Sequence, residues 1–168
     1  MLPPKLILAP VDFSDPSRVA LNAAVDMASC FDAELLIAYV VPAIPDLPTG
    51  VSILKEGQYD QSLVDASAQR LSELASELTG GPASKNVKVR TEVGVANDVG
   101  MELIRIAEHN NADMIIIATH GMTGWRRFAF GSVAEKVVKE AGCPVLVLRA
   151  NAAAAENKEE AASSAAAS

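Results

Sequence analysis

The chain has 168 residues, of which 50% are hydrophobic and 4% aromatic, and it carries a formal net charge of −7 at pH 7. These values predict one folded domain with an aliphatic core and argue against disorder of the whole chain. The negative charge argues against broad binding to nucleic acids or to anionic membranes.

Neither a membrane span nor a disulfide framework is predicted. No apolar run reaches about 18 residues, the length of a membrane-spanning helix. The amino terminus, MLPPKLILAPVDFS, lacks the layout of a secretory signal, so we expect a cytoplasmic protein. Cys30 and Cys143 both lie among apolar residues, and we expect them to be buried free thiols.

The first part of the chain predicts a strand, a helix and a second strand. Residues 5–11 form an almost continuous apolar run, as in strands that are covered on both faces, and Asp12 follows at the carboxyl end. Asp15 before Pro16 predicts the start of a helix, with Asp15 as its N-cap. Residues 35–41 read as another buried strand.

The middle of the chain predicts a long helix, an edge strand and a shorter helix. Residues 59–78 have helical periodicity until Gly80 and the residues after it stop the helix. The residues that mark this periodicity are Leu63, Ala66, Arg70, Leu74 and Leu78. Residues 87–93 alternate between apolar and charged side chains, as in a half-exposed edge strand. Asn97 or Asp98 can cap the next helix.

The last part of the chain predicts a strand, a glycine-rich loop, a helix and a strand. Residues 114–118 and 144–148 are apolar runs of strand length, and Gly131 with Ser132 opens the helix between them. The first N–H groups of a helix are unpaired and lie at the positive end of its dipole, so a phosphate can bind there. Ser132 and Glu135 can instead form a capping box that pairs two of these groups internally. The spacing leaves both interpretations open.

Two distant motifs resemble those of the universal stress protein family. From Ala118 to Ser132 the chain has an alanine, two residues, a glycine, nine residues, a glycine and a serine. This is the spacing of that family's nucleotide motif, with alanine in place of the first glycine. The segment APVDFS, residues 9–14, resembles the family's amino-terminal motif. The resemblance extends over residues 5–149.

The resemblance implies an α/β fold of the adenine nucleotide alpha hydrolase-like type. Its open five-stranded parallel sheet has the strand order 3-2-1-4-5, with helices on both faces. Residues 1–149 would form one universal stress protein domain, and we expect the alanine-rich residues 150–168 to form a disordered tail. In this order the first and fourth strands, ended by Asp12 and Ala118, flank a switch point where ligands bind. The two motifs therefore converge on one crevice.

The resemblance further implies that this crevice binds ATP, which Mg²⁺ or Mn²⁺ can accompany. Pro10 and Val11 would line the adenine side, Val40 would contact adenine through its backbone, and Asp12 would lie near the ribose or a phosphate-bound metal. The residues implied in nucleotide binding are Pro10, Val11, Asp12, Val40, Ala118, Thr119, His120, Gly121, Gly124, Gly131, Ser132 and Val133.

Some of these residues also have a plainer interpretation. Asp12 can simply leave a strand or help to cap a helix, and His120 can be a structural turn residue. Arg126 and Arg127 can be phosphate ligands or solvated surface residues. The sequence contains no P-loop, no dinucleotide fingerprint, no zinc spacing and no hydrolase elbow. Since no motif places a general base, we predict no catalytic residue and, at most, slow ATP turnover.

In the implied strand order, residues 144–149 form an apolar edge strand. An exposed apolar edge invites pairing, so we predict a homodimer through this strand, as is common in the family; a cover formed by the tail is the alternative. The resulting prediction is a cytoplasmic, homodimeric, ATP-binding universal stress protein that acts in stress response or signalling. Two alternatives stay open: a nucleotide-free dimer that acts through protein contacts, which Ala118 would allow, and a slow metal-dependent ATPase that uses Asp12.

Overall fold

Strands and helices alternate along the chain. The structure is a computed structural model, and it describes residues 3–43, 61–80, 87–120 and 131–150. The strands are β1 (Leu6–Pro10), β2 (Glu34–Pro42), β3 (Val89–Ala96), β4 (Met114–His120) and β5 (Val145–Ala150). The helices are α1 (Asp15–Phe31), α2 (Gln61–Gly80), α3 (Val99–His109) and α4 (Ser132–Glu140). The alternation predicted from the sequence is therefore confirmed.

The five strands lie parallel in one sheet, in the order β3-β2-β1-β4-β5. This confirms the α/β fold and the implied order 3-2-1-4-5. From β1 the chain moves outward to β2 and β3 and then crosses to β4 on the other side of β1, where Ile7 pairs with Met114. The carboxyl ends of β1 and β4 therefore flank a switch point, where open α/β sheets bind ligands.

Two apolar cores cover the two faces of the sheet. Successive side chains of a strand point to opposite faces, so neighbouring residues of β1 and β2 enter different cores. The core under α1 and α2 includes Ile7, Ala9, Leu21, Leu35, Ile37 and Leu71. The core under α3 and α4 includes Leu8, Leu36, Ala38, Ile106 and Val137. Since β1 is the central strand of the sheet, the loop that follows it emerges at the centre of the sheet's carboxyl edge.

The N-caps of α1 and α3 are both polar side chains, but only one is the residue expected. Ser14 caps α1: its backbone is extended, and its Oγ accepts a hydrogen bond from the Ser17 N–H at 3.4 Å. The prediction of Asp15 as this cap is wrong by one residue, because Asp15 already lies in the first turn of the helix. Asp98 caps α3 as predicted, and its Oδ1 accepts from the Met101 N–H at 3.1 Å.

The two outer strands of the sheet differ in how their edges are protected. On β3, Arg90 contacts Glu34 of β2 at 2.5 Å and donates to the Asn110 side chain at 3.2 Å, which confirms the charged edge expected there. On β5, the side chains from Val145 to Leu148 are apolar and half-buried. Within the described ranges β5 pairs with β4 alone, so its apolar edge is the less protected one.

The cysteines are free, but they differ in burial. Cys30 is exposed, so the expectation that it is buried is wrong; it lies in the last turn of α1, outside the stripe of buried residues formed by Ala20, Ala24 and Ala28. Cys143 is half-buried. This burial is the main cause that raises the pKa of its thiol, and the negative charge of Asp113 is the second cause.

Parts of the sequence interpretation lie outside the described residues. These are the glycine-rich loop at 121–130 and residues 151–168 of the expected tail, whereas Ala150 belongs to β5. Among the helices that can be described, none has the length and apolar character needed to cross a membrane.

Candidate functional site

A cavity of about 260 Å³ lies at the switch point, beyond the carboxyl ends of β1, β2 and β4. It is lined by residues of these strands, of the first turn of α1, of α3 and of the first turn of α4. Of the residues implied in nucleotide binding, those that line it are Pro10, Val11, Asp12, Val40, Ala118, Thr119, Gly131, Ser132 and Val133. His120 ends β4, and Gly121 and Gly124 lie outside the described residues. The two sequence motifs thus meet around one cavity.

The cavity also has lining residues that the sequence interpretation did not include. These are Ser14, Ser17, Tyr39, Val99, Leu103, Ile117 and Ala134. Val99 and Leu103 lie on the core-facing side of α3, and only the strand order shows that this side borders the crevice. Ser14 and Ser17 lie soon after Asp12, and the turn that joins them to it could not be read from spacing. Sequence signals existed for the helical periodicity of α3 and, through the motif at residues 9–14, for Ser14, but not for Ser17.

Asp12 is held by a tight turn at the mouth of the cavity. Its Oδ1 accepts hydrogen bonds from the Ser14 N–H at 3.0 Å and from the Ser14 hydroxyl at 2.5 Å. Its own N–H points to the Ser17 Oγ at 3.4 Å, and Phe13 between them has a φ of 62°. Because Ser14 also caps α1, the carboxylate is coupled directly to the start of a helix.

The first turn of α4 forms the opposite wall. Gly131 is the N-cap, with φ −61° and ψ 151°, and no side chain from the described residues caps the helix. The capping box, one of the two interpretations that the spacing left open, does not form, because Ser132 already belongs to the helix and a capping residue needs an extended backbone. Glu135 pairs with Lys139 at 2.6 Å instead. This outcome favours the other interpretation, in which the helix start is available to an anion.

The cavity wall is divided by chemistry. Apolar side chains come from β2, β4 and α3, namely Val40, Ile117, Val99 and Leu103. Polar side chains come from the turn after β1, from β4 and from the first turns of α1 and α4, namely Asp12, Ser14, Thr119, Ser17 and Ser132, of which Ser17 and Thr119 are buried. An apolar pocket with a few convergent polar groups is the usual form of a small-molecule site. Ala118 lies in the regular β4 ladder opposite Leu148, where its methyl group is sterically ordinary.

An ion pair fixes α4 against α3 beside the cavity. Lys136 Nζ contacts Asp98 Oδ2, and the stem of Lys136 crosses Gly100, where an added Cβ would lie 3.0 Å from its Cδ. The hydrogen bond from Lys136, helped by the Met101 N–H, lowers the pKa of Asp98, while the bond to Asp98 raises the pKa of Lys136. The start of α4 is therefore joined to the cap of α3.

The side chains of the described residues do not form a metal site by themselves. Within the described ranges, no group of three or more histidine, cysteine, aspartate or glutamate residues could hold an ion. Asp12 is the one carboxylate among the described lining residues. Mg²⁺ is commonly held by one or two carboxylates together with substrate phosphates. The residues therefore fit a metal that arrives with a phosphorylated ligand rather than one bound by the protein alone.

Fold and cavity together define an open α/β protein with a ligand site at its switch point, and comparison with known proteins gives the family. Residues 4–149 match the universal stress protein family. A universal stress protein of Methanocaldococcus jannaschii is 38% identical over 153 residues, which cover 86% of this chain and 82% of that protein. The chain belongs to the universal stress protein family.

Solved structures are similar as well. The universal stress protein UspA from Lactobacillus plantarum has a TM-score of 0.65 at 28% identity, covering 86% of this chain and 97% of its own. A universal stress protein from Archaeoglobus fulgidus, in complex with dAMP, has a TM-score of 0.59 at 19% identity, covering 88% and 98%. At that identity the similarity concerns the fold.

Proposed function

We propose that this protein binds ATP in the cavity at the switch point and acts as a homodimeric nucleotide-binding module in stress response or signalling. The observation that carries the proposal is the start of α4: a helix with a glycine N-cap and no side-chain cap from the described residues opens onto a cavity that also contains Asp12. In this proposal residues 1–149 form the functional domain, residues 150–168 lie outside it, and the protein acts in the cytoplasm, where ATP is abundant.

The phosphate side of the proposal rests on α4. The backbone N–H groups at a helix start attract anions through hydrogen bonds and through the helix dipole. Gly131, Ser132 and Val133 line the cavity, and an added Cβ at Gly131 would meet no described atom within 4 Å. We infer that a phosphate approaches this backbone closely, and we propose Gly121 of the nucleotide motif and Gly124, within the segment between the motif's glycines, as further phosphate contacts.

The apolar and polar parts of the cavity wall suit the base and the ribose of a nucleoside. The apolar surface formed by Val40, Val99 and Leu103 suits a purine base, and Pro10 and Val11 continue it. Asp12 is oriented by Ser14 and suits a ribose hydroxyl, since a carboxylate is a strong acceptor for such groups. The dAMP complex of the A. fulgidus protein of similar fold supports an adenine nucleotide as the class of ligand, because dAMP shares its base with ATP.

Magnesium or manganese would enter this site together with the phosphates. Asp12 would hold the metal directly or through water, and the metal would neutralise part of the triphosphate charge. The described lining residues provide no histidine, lysine or cysteine that could serve as a base or nucleophile beside Asp12. Binding rather than rapid turnover is therefore the proposed activity.

The experiment is to incubate the purified protein with ATP and Mg²⁺, remove unbound nucleotide by gel filtration, denature the protein and quantify the released nucleotide by chromatography and mass spectrometry. The wild type should release ATP in near-stoichiometric amount, and Gly131→Val should release almost none because its side chain would fill the phosphate seat. Gly142→Val is the matched control, since an added Cβ at Gly142 also meets no described atom within 4 Å but lies beyond the other end of α4. A wild-type protein that retains no nucleotide, or equal retention by both variants, would contradict the proposal.

A further inference from the structure

Phe13, between Asp12 and Ser14, has an unusual backbone conformation. Its φ of 62° lies in the left-handed region, which bulky residues rarely adopt because Cβ approaches the backbone too closely. Such a conformation persists only where the surrounding contacts hold it, and it is concentrated at functional sites. The turn after β1 is therefore a place where outside contacts must compensate for strain.

Two side chains from other elements hold the Phe13 ring. The Tyr39 ring of β2 lies 5.0 Å away between centroids, at an angle of 49°. The Arg70 guanidinium of α2 lies over the Phe13 ring, with Cζ 4.1 Å from the centroid. Both distances fall within the favourable ranges for aromatic pairs and for cation–π contacts. We call Tyr39, Phe13 and Arg70 the aromatic clamp.

The aromatic clamp acts on the residue next to it. The hydrogen bonds from the Ser14 N–H and hydroxyl to the Asp12 carboxylate close a turn around Phe13, so the backbone angles of Phe13 help to set where that carboxylate lies. A change in the φ of Phe13 would therefore shift the Ser14 donors relative to the Asp12 carboxylate. Arg70 lies outside the cavity lining, and Phe13 likewise, so neither contacts a ligand through the described cavity wall.

We infer that Phe13, held by its contacts with Tyr39 and Arg70, is a positioning residue that fixes the Asp12 carboxylate for nucleotide binding. This inference rests on the proposed function, and it makes α2 part of the support of the site although α2 contributes no described lining residue. The aromatic clamp stabilises the turn after β1, and this turn orients the Asp12 carboxylate. In the proposed function that carboxylate contacts the ribose or the phosphate-bound metal.

The test is a double-mutant cycle on ATP affinity, measured by isothermal titration with Mg²⁺ present. Phe13→Ala should weaken ATP binding by roughly tenfold in the wild-type background. In the Asp12→Ala background it should cause almost no further loss, because the residue through which it acts is already gone. A merely structural role of Phe13 would weaken binding equally in both backgrounds, and that additive result would overturn the inference. Phe31→Ala removes a partly exposed aromatic ring from the far end of α1 and should leave ATP affinity unchanged.

A second comparison tests the strain directly. Phe13→Gly loses the ring, as Phe13→Ala does, but glycine adopts a positive φ without steric cost. We therefore expect Phe13→Gly to bind ATP more tightly than Phe13→Ala and Arg70→Met to weaken binding by about threefold. Equal affinities of the glycine and alanine variants would overturn the inference. Failure of wild-type protein to bind ATP would instead defeat the proposed function itself, so the two failures are distinguishable.

Discussion

Single residues at two helix starts determine the chemistry of the cavity. Ser14 satisfies an N–H group of α1 and at the same time donates to the Asp12 carboxylate. Gly131 starts α4 with no side-chain cap among the described residues, and this leaves the helix start to the cavity. A serine caps a helix only when it is the extended residue just before the first helical residue. Ser14 has that position at α1, whereas Ser132 is already the first residue of α4.

This contrast predicts different effects of the same substitution at two serines. Ser14→Ala should lower the free energy of unfolding by about 1 kcal/mol, the usual cost of losing an N-cap side chain. Ser132→Ala should change it by less than about 0.5 kcal/mol, because Ser132 is the first residue inside its helix and caps nothing. Urea unfolding followed by circular dichroism measures both. Equal losses would mean that Ser132 forms the capping box after all.

At the scale of elements, the position of α4 depends on α3. Lys136 reaches across Gly100 to Asp98, and any side chain larger than glycine at position 100 would displace the Lys136 stem. The turn that faces the cavity, from Gly131 to Ala134, lies one helical turn before Lys136. The ion pair therefore joins the wall made by the start of α4 to the apolar wall made by Val99 and Leu103.

We predict a small and pH-dependent loss of stability when this pair is removed. Because the pKa of Asp98 is lowered in the folded state, its contribution to stability is present above its ordinary pKa of 3.8 and disappears as pH falls through the lower folded value. Because the pKa of Lys136 is raised in the folded state, its contribution to stability is present below its ordinary pKa of 10.5. This contribution is lost as pH rises through the higher folded pKa. Lys136→Met should therefore lower Tm by roughly 1–2 °C at neutral pH and have no effect in strong acid.

The internal control for this prediction is Asp98→Asn, which retains a capping side chain but loses the charge. Calorimetry should give the same small decrease in Tm, and the double variant should lose no more than either single variant. Additive losses, or a loss that persists at acid pH, would show that the two side chains act independently of each other.

At the scale of the whole molecule, strand existence and strand order were predictable, whereas the details of helix contacts were not. Apolar runs identified the buried strands, because a parallel sheet covered on both faces needs them. Strand order came from the family resemblance, and it alone brings Asp12 and Ala118 to one crevice. On α2 the periodicity included Leu63, which is 47% exposed, and missed Leu71, which is fully buried. A helix packed on a twisted sheet buries a face that its own sequence does not specify.

The N-caps of α1 and α4, beside the cavity, could not be assigned to the right residue from the sequence either. Asp15 and Ser132 have the right residue types for caps, and each is one position inside its helix. Which residue caps depends on the φ and ψ of a single position, and the surrounding chain sets those angles. Nine of the twelve residues implied in nucleotide binding line one cavity, whereas the hydrogen bonds of Asp12 and the start of α4, which no described side chain caps, could be seen only in the structure.

The proposed dimer predicts that the two edges of the sheet respond differently to charge. Val147 on β5 and Val93 on β3 are both half-buried valines on outer strands. Val147→Lys should raise the dimer dissociation constant by at least about tenfold, since lysine on an edge opposes strand pairing. Val93→Lys should leave the dimer dissociation constant unchanged, although it should lower the stability of the fold by about as much as Val147→Lys does. Sedimentation velocity would contradict the β5 interface if the wild type were monomeric or if both variants dissociated alike.

We propose that the start of α4 binds the phosphates of an adenine nucleotide. The most direct test is isothermal titration of the wild type and of Gly131→Val with adenosine, AMP and ATP in the presence of Mg²⁺. We predict that the wild type gains affinity from adenosine to ATP, and that Gly131→Val loses this gain while binding adenosine as before. Equal losses for all three ligands, or no gain with added phosphates in the wild type, would contradict the account.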